Sequence, residues 1–231
     1  MNKKLLKQWV CLALTFVCVF TGLVVNENVA GAAYDKEELK NANIGDTVIF
    51  GNYTYKDSYH NRDRENRDME WIVIDKKDKK LLIISKYILE KSGYFGQLCD
   101  VPWKYCSIRG WLNKDFIKSA FTKEERGMII KIKVRNKKNE KYGTGDGRAT
   151  KDRVFLLSLD EADKYFSLNE ERKANYIDGY CGWWWLRSRG SAGLSGQNTY
   201  VDSQGSVNYE GEFVSESLGI RPALWVDISG L

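Results

Sequence analysis

Two apolar segments near the C-terminus, each carrying an Arg, constrain this fold most. Three consecutive Trp lead into Leu186-Arg187-Ser188, and Gly219 leads into Ile220-Arg221-Pro222-Ala223-Leu224-Trp225. The stretch between them is rich in Gly, Ser, Asn and Tyr. Aromatic and β-branched side chains favour strands, whereas Gly, Ser and Asn favour turns and loops. The pattern predicts that the two segments are strands of one tightly built β region.

Residues 1–33 have the pattern of a secretory signal peptide. A basic start precedes an uncharged apolar run and a small-x-small cleavage motif, which fall at residues 3–7, 9–25 and 30–32. The alternative is a transmembrane anchor, because the run is close to the ~17–25 residues that span a bilayer. We expect cleavage after residue 32 or 33, secretion to the extracellular space, and no stable membrane insertion of the cleaved protein.

The rest of the chain is expected to form one domain. Residues 34–43 are predicted to be a loose lead-in or short helix, and residues 44–231 a single globular domain with enough length for one core. The sequence has two Pro and no Ser/Pro-rich linker. Residues 1–33 hold three Lys and one Glu, so their removal lowers the formal net charge from +5 to +3. A net charge this small does not favour nucleic acid as a partner.

Local patterns predict two hairpins. Residues 70–75 and 80–85 are apolar, β-branched runs on either side of a polar turn, which is typical of a hairpin. A second hairpin is expected over residues 200–209, where Gly205 can adopt the positive φ of a tight turn. Residues 57–68 are so polar that an exposed loop is expected there.

Two or three short helices complete the predicted fold. Thr122 with Glu125, and Ser158 with Glu161, have the spacing of capping boxes that begin helices. The apolar residues of the segment 106–116 recur at helical spacing. The expected fold class is therefore α+β, with short helices packed on antiparallel strands and hairpins.

An ordered set of short motifs resembles a known family. The motifs are Gly45-Asp46-Thr47-Val48, Glu70-Trp71-Ile72-Val73, Leu81-Leu82-Ile83-Ile84-Ser85-Lys86, Ser107-Ile108-Arg109-Gly110-Trp111-Leu112-Asn113, Val154-Phe155-Leu156-Leu157-Ser158, Trp184-Trp185-Leu186-Arg187-Ser188, Tyr200-Val201-Asp202 with Gly205, and Ile220-Arg221-Pro222-Ala223-Leu224. Together they resemble the bacterial extracellular family called domain of unknown function 6273, over roughly residues 44–228. That family has no assigned catalytic residues, so the resemblance transfers none.

The Trp-Leu-Arg-Ser and Gly-x-Arg-Pro-Ala segments also resemble the C-terminal half of C-type-lectin-like folds, including the formylglycine-generating enzyme group. This resemblance implies a C-type-lectin-like core. It implies no function, because one fold hosts many functions. The sequence departs from the family at Arg189, where a Pro is usual, and at Cys181 and Trp183, which precede the usual Trp pair.

Five residues are candidates for ligand binding, namely Trp184, Tyr200, Asp202, Asn208 and Tyr209. An aromatic face offers a rigid platform for a sugar ring, and alternation along a strand would separate Trp184 from Trp183 and Trp185. Tyr together with Ser, Gly and Asn is typical of an adaptable recognition surface, which we expect on the loops between Ser191 and Glu212. The alternatives are core packing for the three Trp and tight-turn chemistry for the other residues.

Four residues are expected to be structural. Trp71 begins the first hairpin and is predicted to be buried, and Trp111 lies at helical spacing with its apolar neighbours. Arg187 and Arg221 are expected to tie loop carbonyls or to pair with an Asp. Bidentate binding of a carboxylate or phosphate ligand is the alternative for both guanidinium groups.

The remaining reactive residues do not form a recognisable catalytic set. Export permits a disulfide between Cys99 and Cys106, and the alternative is that these two and Cys181 are small, partly buried thiols. His60 is the one His of the chain and lies in a charged segment with no local link to a Cys. We therefore predict no catalytic residue, no metal site and no cofactor.

A basic run follows the helix that begins near Thr122. Lys131, Lys133 and Arg135 share one face of a predicted strand, and further Lys residues come directly after it. Contact with an anionic wall polymer or membrane surface, and a plain solvated face, are the two interpretations.

The sequence as a whole predicts a secreted, non-catalytic binding module whose ligand is a glycan, a cell-wall polymer or another cell-surface molecule. The alternative is an exported enzyme, either a glycan hydrolase or a formylglycine-generating-like oxidase. Two cysteines or two carboxylates that converge in one cleft would favour the enzyme.

Overall fold

The computed structural model describes residues 34–145, 147–193 and 196–231. The predicted signal peptide, residues 1–33, lies outside the described residues. The described residues form two five-stranded sheets, a two-stranded ribbon and short helices, which confirms the α+β class. All of them fall within one compact unit.

The strands, in chain order, are β1 (Thr47–Lys56), β2 (Asp63–Lys77), β3 (Lys80–Ser85), β4 (Lys91–Gly93), β5 (Ile132–Val134), β6 (Thr150–Asp152), β7 (Val154–Phe155), β8 (Trp184–Arg189), β9 (Gln197–Val201), β10 (Val207–Phe213), β11 (Ser217–Gly219) and β12 (Ala223–Asp227). The α-helices are α1 (Lys36–Asn41), α2 (Ser107–Trp111), α3 (Ile117–Ser119), α4 (Lys123–Met128), α5 (Leu159–Tyr165) and α6 (Asn169–Arg172). A 3-10 turn (Trp103–Tyr105) precedes α2, and a π-helical turn (Leu112–Phe116) follows it.

The first sheet has the order β1-β2-β3-β12-β7 and is antiparallel throughout. The hairpin predicted over residues 70–85 is confirmed as β2 and β3, which turn at Asp78 with a φ of 53°. The loop expected over residues 57–68 was wrong in its second half, because β2 already begins at Asp63 and pairs with β1. Polar side chains of residues 63–68 form cross-strand hydrogen bonds with β1. The polar sequence of this half therefore belongs to a strand and not to a loop.

The second sheet has the order β10-β9-β8-β11-β4. The hairpin predicted around Gly205 is confirmed as β9 and β10, and Gly205 has a φ of 79°. The two Arg-bearing segments were predicted to be strands of one β region, and their strands lie in two different sheets. The Trp-rich segment forms β8 in the second sheet, whereas Ala223–Asp227 pairs with β3 in the first.

Gly219 marks where the chain crosses from the second sheet to the first. It pairs with Trp184 of β8, and a Cβ placed on it would lie 2.6 Å from the Ile88 side chain and 2.8 Å from the Trp183 carbonyl oxygen. Glycine is therefore required by the close approach at this crossing. Pro222 follows in the short connection between β11 and β12. Because this position lies between the two strands, its backbone N–H is not needed for strand pairing.

The helices follow their predicted capping signals. The capping boxes of Thr122 and Ser158 are both present at the N-termini of α4 and α5, and the third predicted helix is α2 with the π-helical turn. The short helix that was one alternative for residues 34–43 is present as α1, and the described residues also contain α3 and α6, which are too short to leave a periodic pattern. Leu39 of α1 is fully buried, so the expected lead-in packs into the core.

Four Trp side chains dominate the core. Trp71, Trp103, Trp184 and Trp185 are fully buried, and the indole N–H of each donates a hydrogen bond. Their acceptors are the Phe50 carbonyl at 2.7 Å, an Asp152 carboxylate oxygen at 2.9 Å, the Arg172 carbonyl at 3.1 Å and the Ser92 carbonyl at 2.9 Å. Because each polar edge has a partner, the large apolar rings are buried without an unpaired donor.

Candidate functional site

An open cavity of about 960 Å³ lies where three segments meet. The loop between β1 and β2, residues 57–62, forms one wall together with the start of β2. Residues 176–183 form the opposite wall, and β11 with Ser203 closes one end. The lining mixes exposed aromatic rings with charged groups.

The loop of residues 57–62 is held by its own side chains. One carboxylate oxygen of Asp57 accepts hydrogen bonds from the backbone N–H groups of Tyr59, at 3.2 Å, and His60, at 2.7 Å. Asn61 adopts a φ of 56°, and its amide donates to the Lys91 carbonyl and accepts from the Lys91 N–H. The loop is thus fixed to the start of β4 before any ligand arrives.

Asp178 joins the two walls of the cavity. One of its carboxylate oxygens accepts from both the backbone N–H and the hydroxyl of Ser58, at 2.8 and 2.9 Å. The other accepts from the backbone N–H of Tyr180. Desolvation works against ionisation, but the Ser58 and Tyr180 donors and the nearby Arg64 outweigh it, so the pKa of Asp178 lies below its usual value.

Three aromatic side chains line the cavity and are exposed to solvent. Tyr59 is 82% exposed, Tyr180 69% and Trp183 43%. The indole of Trp183 is stacked on the ring of Tyr200, with 5.0 Å between centroids and 13° between planes. Tyr200 itself is buried, so Trp183 presents its free face outward from a fixed support.

The charges that line the cavity balance. Asp57, Asp63 and Asp178 face the cations Arg62, Arg64 and Lys91. The Arg64 guanidinium lies 3.5 Å from an Asp57 carboxylate oxygen. Desolvation opposes the ionised form of Asp57, but backbone groups of His60 and Arg62 and the Arg64 charge prevail, and its pKa is lowered.

Cys181 and His60 also line this cavity, although no local sequence pattern connects them. The thiol of Cys181 donates to the Ser203 carbonyl at 3.2 Å, and the His60 ring lies edge-on to Tyr59 with 4.4 Å between centroids. Each group therefore has its own contact, and the structure shows no hydrogen bond between these two residues that would activate the thiol.

The candidates Tyr200, Asp202, Asn208 and Tyr209 lie on or beside the predicted β9–β10 hairpin, within the segment from Ser191 to Glu212 where the ligand surface was expected. Asp202 accepts from the backbone N–H groups of Gln204 and Ser206 at 2.8 and 2.9 Å, which is turn chemistry. The Asn208 amide donates to the Tyr200 hydroxyl at 3.0 Å, and the Tyr209 hydroxyl donates to Asp163 at 2.7 Å.

Trp184 requires a correction as a ligand-binding candidate. It is fully buried, and so is Trp185, because both faces of β8 are covered. Its neighbour Trp183, just before β8, is the ring that reaches the cavity. Trp111 is half-buried and packs on Phe116, with 5.2 Å between ring centroids.

Arg187 and Arg221, the Arg residues of the two C-terminal apolar segments, are buried, and their guanidinium groups donate hydrogen bonds to protein groups. Arg187 donates to the carbonyls of Leu156 and Arg135 at 2.7 and 2.9 Å and pairs with Glu161. Arg221 donates to the carbonyls of Ser85 and Arg172 at 2.9 and 3.1 Å, and its guanidinium lies over the Trp184 ring. Neither guanidinium is accessible to a surface ligand.

The three described cysteines, Cys99, Cys106 and Cys181, are free thiols, so the alternative of a bridge between the first two is not realised. In the described part of the chain, no group of three or more His, Cys, Asp or Glu side chains is placed to hold a metal ion. No helix within the described ranges has the length and apolar character to cross a membrane.

Comparison with known proteins gives one match. The family model Domain of unknown function (DUF6273) matches residues 78–228, from the turn before β3 to the end of β12. The motifs at Gly45–Val48 and Glu70–Val73, which the resemblance included, precede the matched region. No curated protein and no solved structure matches the chain.

Proposed function

The chain belongs to the family Domain of unknown function (DUF6273), and we propose that it is a secreted, non-catalytic module that binds a glycan in the cavity between residues 57–62 and 176–183. The signal-peptide pattern of residues 1–33 supports export. The C-type-lectin-like character of the Trp-Leu-Arg-Ser and Gly-x-Arg-Pro-Ala segments forms part of this proposal.

The exposure of Tyr59, Tyr180 and Trp183 around one cavity carries the proposal. Exposed rings grouped at a concave polar surface are suited to stack on the C–H faces of sugar rings, while neighbouring polar groups bind the hydroxyls. The stack on Tyr200 fixes the orientation of the Trp183 indole, so less side-chain freedom is lost when a ligand binds.

The balanced charges of the cavity favour an uncharged glycan. Three carboxylates and three cations line it together, so an anionic or cationic ligand would meet repulsion as well as attraction. Carboxylates and guanidinium groups also accept and donate the hydrogen bonds that sugar hydroxyls need.

Binding is favoured over catalysis because Asp57 and Asp178, two of the three carboxylates that line the cavity, are engaged in hydrogen bonds that hold its walls. A glycan hydrolase needs one carboxylic acid whose pKa is raised, so that it can donate a proton near neutral pH. The pKa values of Asp57 and Asp178 are instead lowered by their hydrogen bonds. The oxidase alternative would be favoured by two cysteines in one cleft. Cys181 is the single cysteine among the described residues that line the cavity, so this criterion is not met there.

A glycan and cell-wall-fragment binding screen tests the proposal. The single substitutions Tyr59→Ala, Tyr180→Ala and Trp183→Ala should each weaken binding of a captured glycan by about tenfold or more, because exposed aromatic anchors carry much of the contact energy. Matched controls are Tyr105→Ala and Phe213→Ala, whose rings are 64% and 43% exposed outside the cavity. Equal losses in both sets, or no captured glycan at all, would refute the site.

A further inference from the structure

The β5–β6 ribbon carries a row of positive charges. Lys131, Lys133 and Arg135 occupy alternate positions along and beside β5, and all three are exposed. Lys151 of β6 pairs directly with Lys133 across the ribbon and is exposed as well. Like charges that face each other across two strands destabilise the pairing, so the ribbon keeps this arrangement at some cost.

The nearby carboxylates already have partners. Asp152 of β6 is fully buried and pairs with Arg109 at 2.7 Å, and Asp160 of α5 pairs with Lys137 at 2.5 Å. Glu161 accepts from the Arg187 guanidinium and from a backbone N–H at its own helix cap. These acids therefore do not neutralise the row of Lys131, Lys133, Arg135 and Lys151, which leaves its charge available to an external anion.

A cleft beside the ribbon could seat an anionic group. It has a volume of about 310 Å³ and lies between β5 and α5. Its cationic lining comprises Lys133, Arg135, Lys137, Lys164 and the buried Arg187. Lys137 and Arg187 pair with its two acids, Asp160 and Glu161, and Lys164 pairs with Asp75. Lys133 and Arg135 of the row thus also line a concave site.

We infer that this ribbon binds a linear polymer that carries phosphate or carboxylate groups. Alternate residues of a strand lie roughly 6.7 Å apart, so successive cations can meet successive charges of an extended chain. A membrane fits less well, because the apolar residues of β5 turn away from the charged face, with Val134 buried and Ile132 half-buried. This surface is separate from the glycan cavity, and its binding does not depend on that proposal.

The inference is tested by titrating the protein with poly(glycerol phosphate), polyglutamate and, as a neutral polymer, dextran. The triple substitution Lys131→Gln, Lys133→Gln and Lys151→Gln should weaken binding of the anionic polymers on the order of tenfold. The matched control is Lys114→Gln, Lys118→Gln and Lys123→Gln, which removes the same charge from exposed positions elsewhere and should change binding less than about twofold. Stronger binding of one anionic polymer than of the other would identify the preferred group.

Folding does not confound this experiment, since removing the repulsion between Lys133 and Lys151 should leave the thermal midpoint unchanged or slightly raised. Binding to wild-type protein should also weaken as salt rises through roughly 0.15 M, where screening acts over about 8 Å. Equal binding by the two triple variants, or equal binding of dextran and the anionic polymers, would overturn the inference. Binding to anionic phospholipid vesicles in preference to the polymers would replace it with membrane docking.

Discussion

Trp183 and Trp184 are adjacent in the chain and yet lie in opposite environments. Trp184 is fully buried with its indole N–H on the Arg172 carbonyl, whereas Trp183 is 43% exposed at the cavity. The buried ring of Tyr200 lies beneath Trp183. At the scale of single residues, Tyr200 therefore supports the proposed ligand contact without making it.

This support leads to a prediction with two matched substitutions. Tyr200→Phe keeps the ring beneath Trp183 and loses the hydrogen bond with Asn208, so glycan affinity should be retained. Tyr200→Leu removes the flat support, frees the indole and should lower affinity several-fold through lost preorganisation. Calorimetric titration with a captured glycan measures both, and circular dichroism checks the fold. Equal affinities for the two variants would contradict the supporting role.

The thiols should differ sharply in reactivity. Burial raises the pKa of Cys106 to about 12, so its thiolate is scarce at pH 8, whereas Cys181 is exposed. Brief treatment of the native protein with iodoacetamide should label Cys181 and spare Cys106, as mapped by mass spectrometry of proteolytic peptides. Both should be labelled in denaturant. Equal labelling of the two in the folded protein would place Cys106 outside the core.

At the scale of elements, a carboxylate from another segment adds to the contacts that hold the β1–β2 loop. Asp178 receives the backbone N–H and hydroxyl of Ser58 and the N–H of Tyr180. Its pKa is lowered, so its contribution is complete above the unfolded value of about 3.9 and is lost as pH falls through the folded value. The contact between Ser58 and Asp178 should therefore persist at neutral pH and weaken only in acid.

We predict that glycan affinity changes little between pH 7 and pH 5 and falls below about pH 4. Asp178→Ala should weaken binding at every pH, because the Ser58 donors lose their acceptor. A control is Asp68→Ala, an exposed carboxylate on β2 that does not line the cavity. Affinity is titrated across this pH range. A fall in affinity that parallels the ionisation of a group near neutral pH would contradict the role of the Ser58–Asp178 contact.

Local signals in the sequence were sufficient for local elements and for little beyond them. The hairpin of residues 70–85 and the helices begun by Thr122 and Ser158 were predicted because each depends on neighbouring residues. The cavity was missed because its walls come from residues 57–62 and 176–183, which no local pattern connects. One signal was present: Tyr59 and Tyr180 are large rings within polar segments, where core packing does not explain them.

At the scale of the whole molecule, the core extends beyond the matched family region. The match begins at residue 78, yet β2 pairs with β3, and β1 with β2, in the same sheet. Trp71 of β2 is fully buried, contacts Phe121 with 6.2 Å between ring centroids, and donates to the Phe50 carbonyl. The residues before the match are thus part of the same folded unit.

This continuity predicts that residues 78–231 do not fold without β1 and β2. Their removal would expose one edge and the apolar face of β3 and would take Trp71 from the core. In the whole protein, Trp71→Ala alone should cost about 3–5 kcal/mol of unfolding free energy, because it leaves a large cavity and an unpaired Phe50 carbonyl. Chemical denaturation measures that loss, with Trp183→Ala as the exposed Trp control, for which little change is expected. A cooperative unfolding transition in the fragment of residues 78–231, or an unchanged midpoint for Trp71→Ala, would show that the matched region is a domain in itself and that β1 and β2 only cover it.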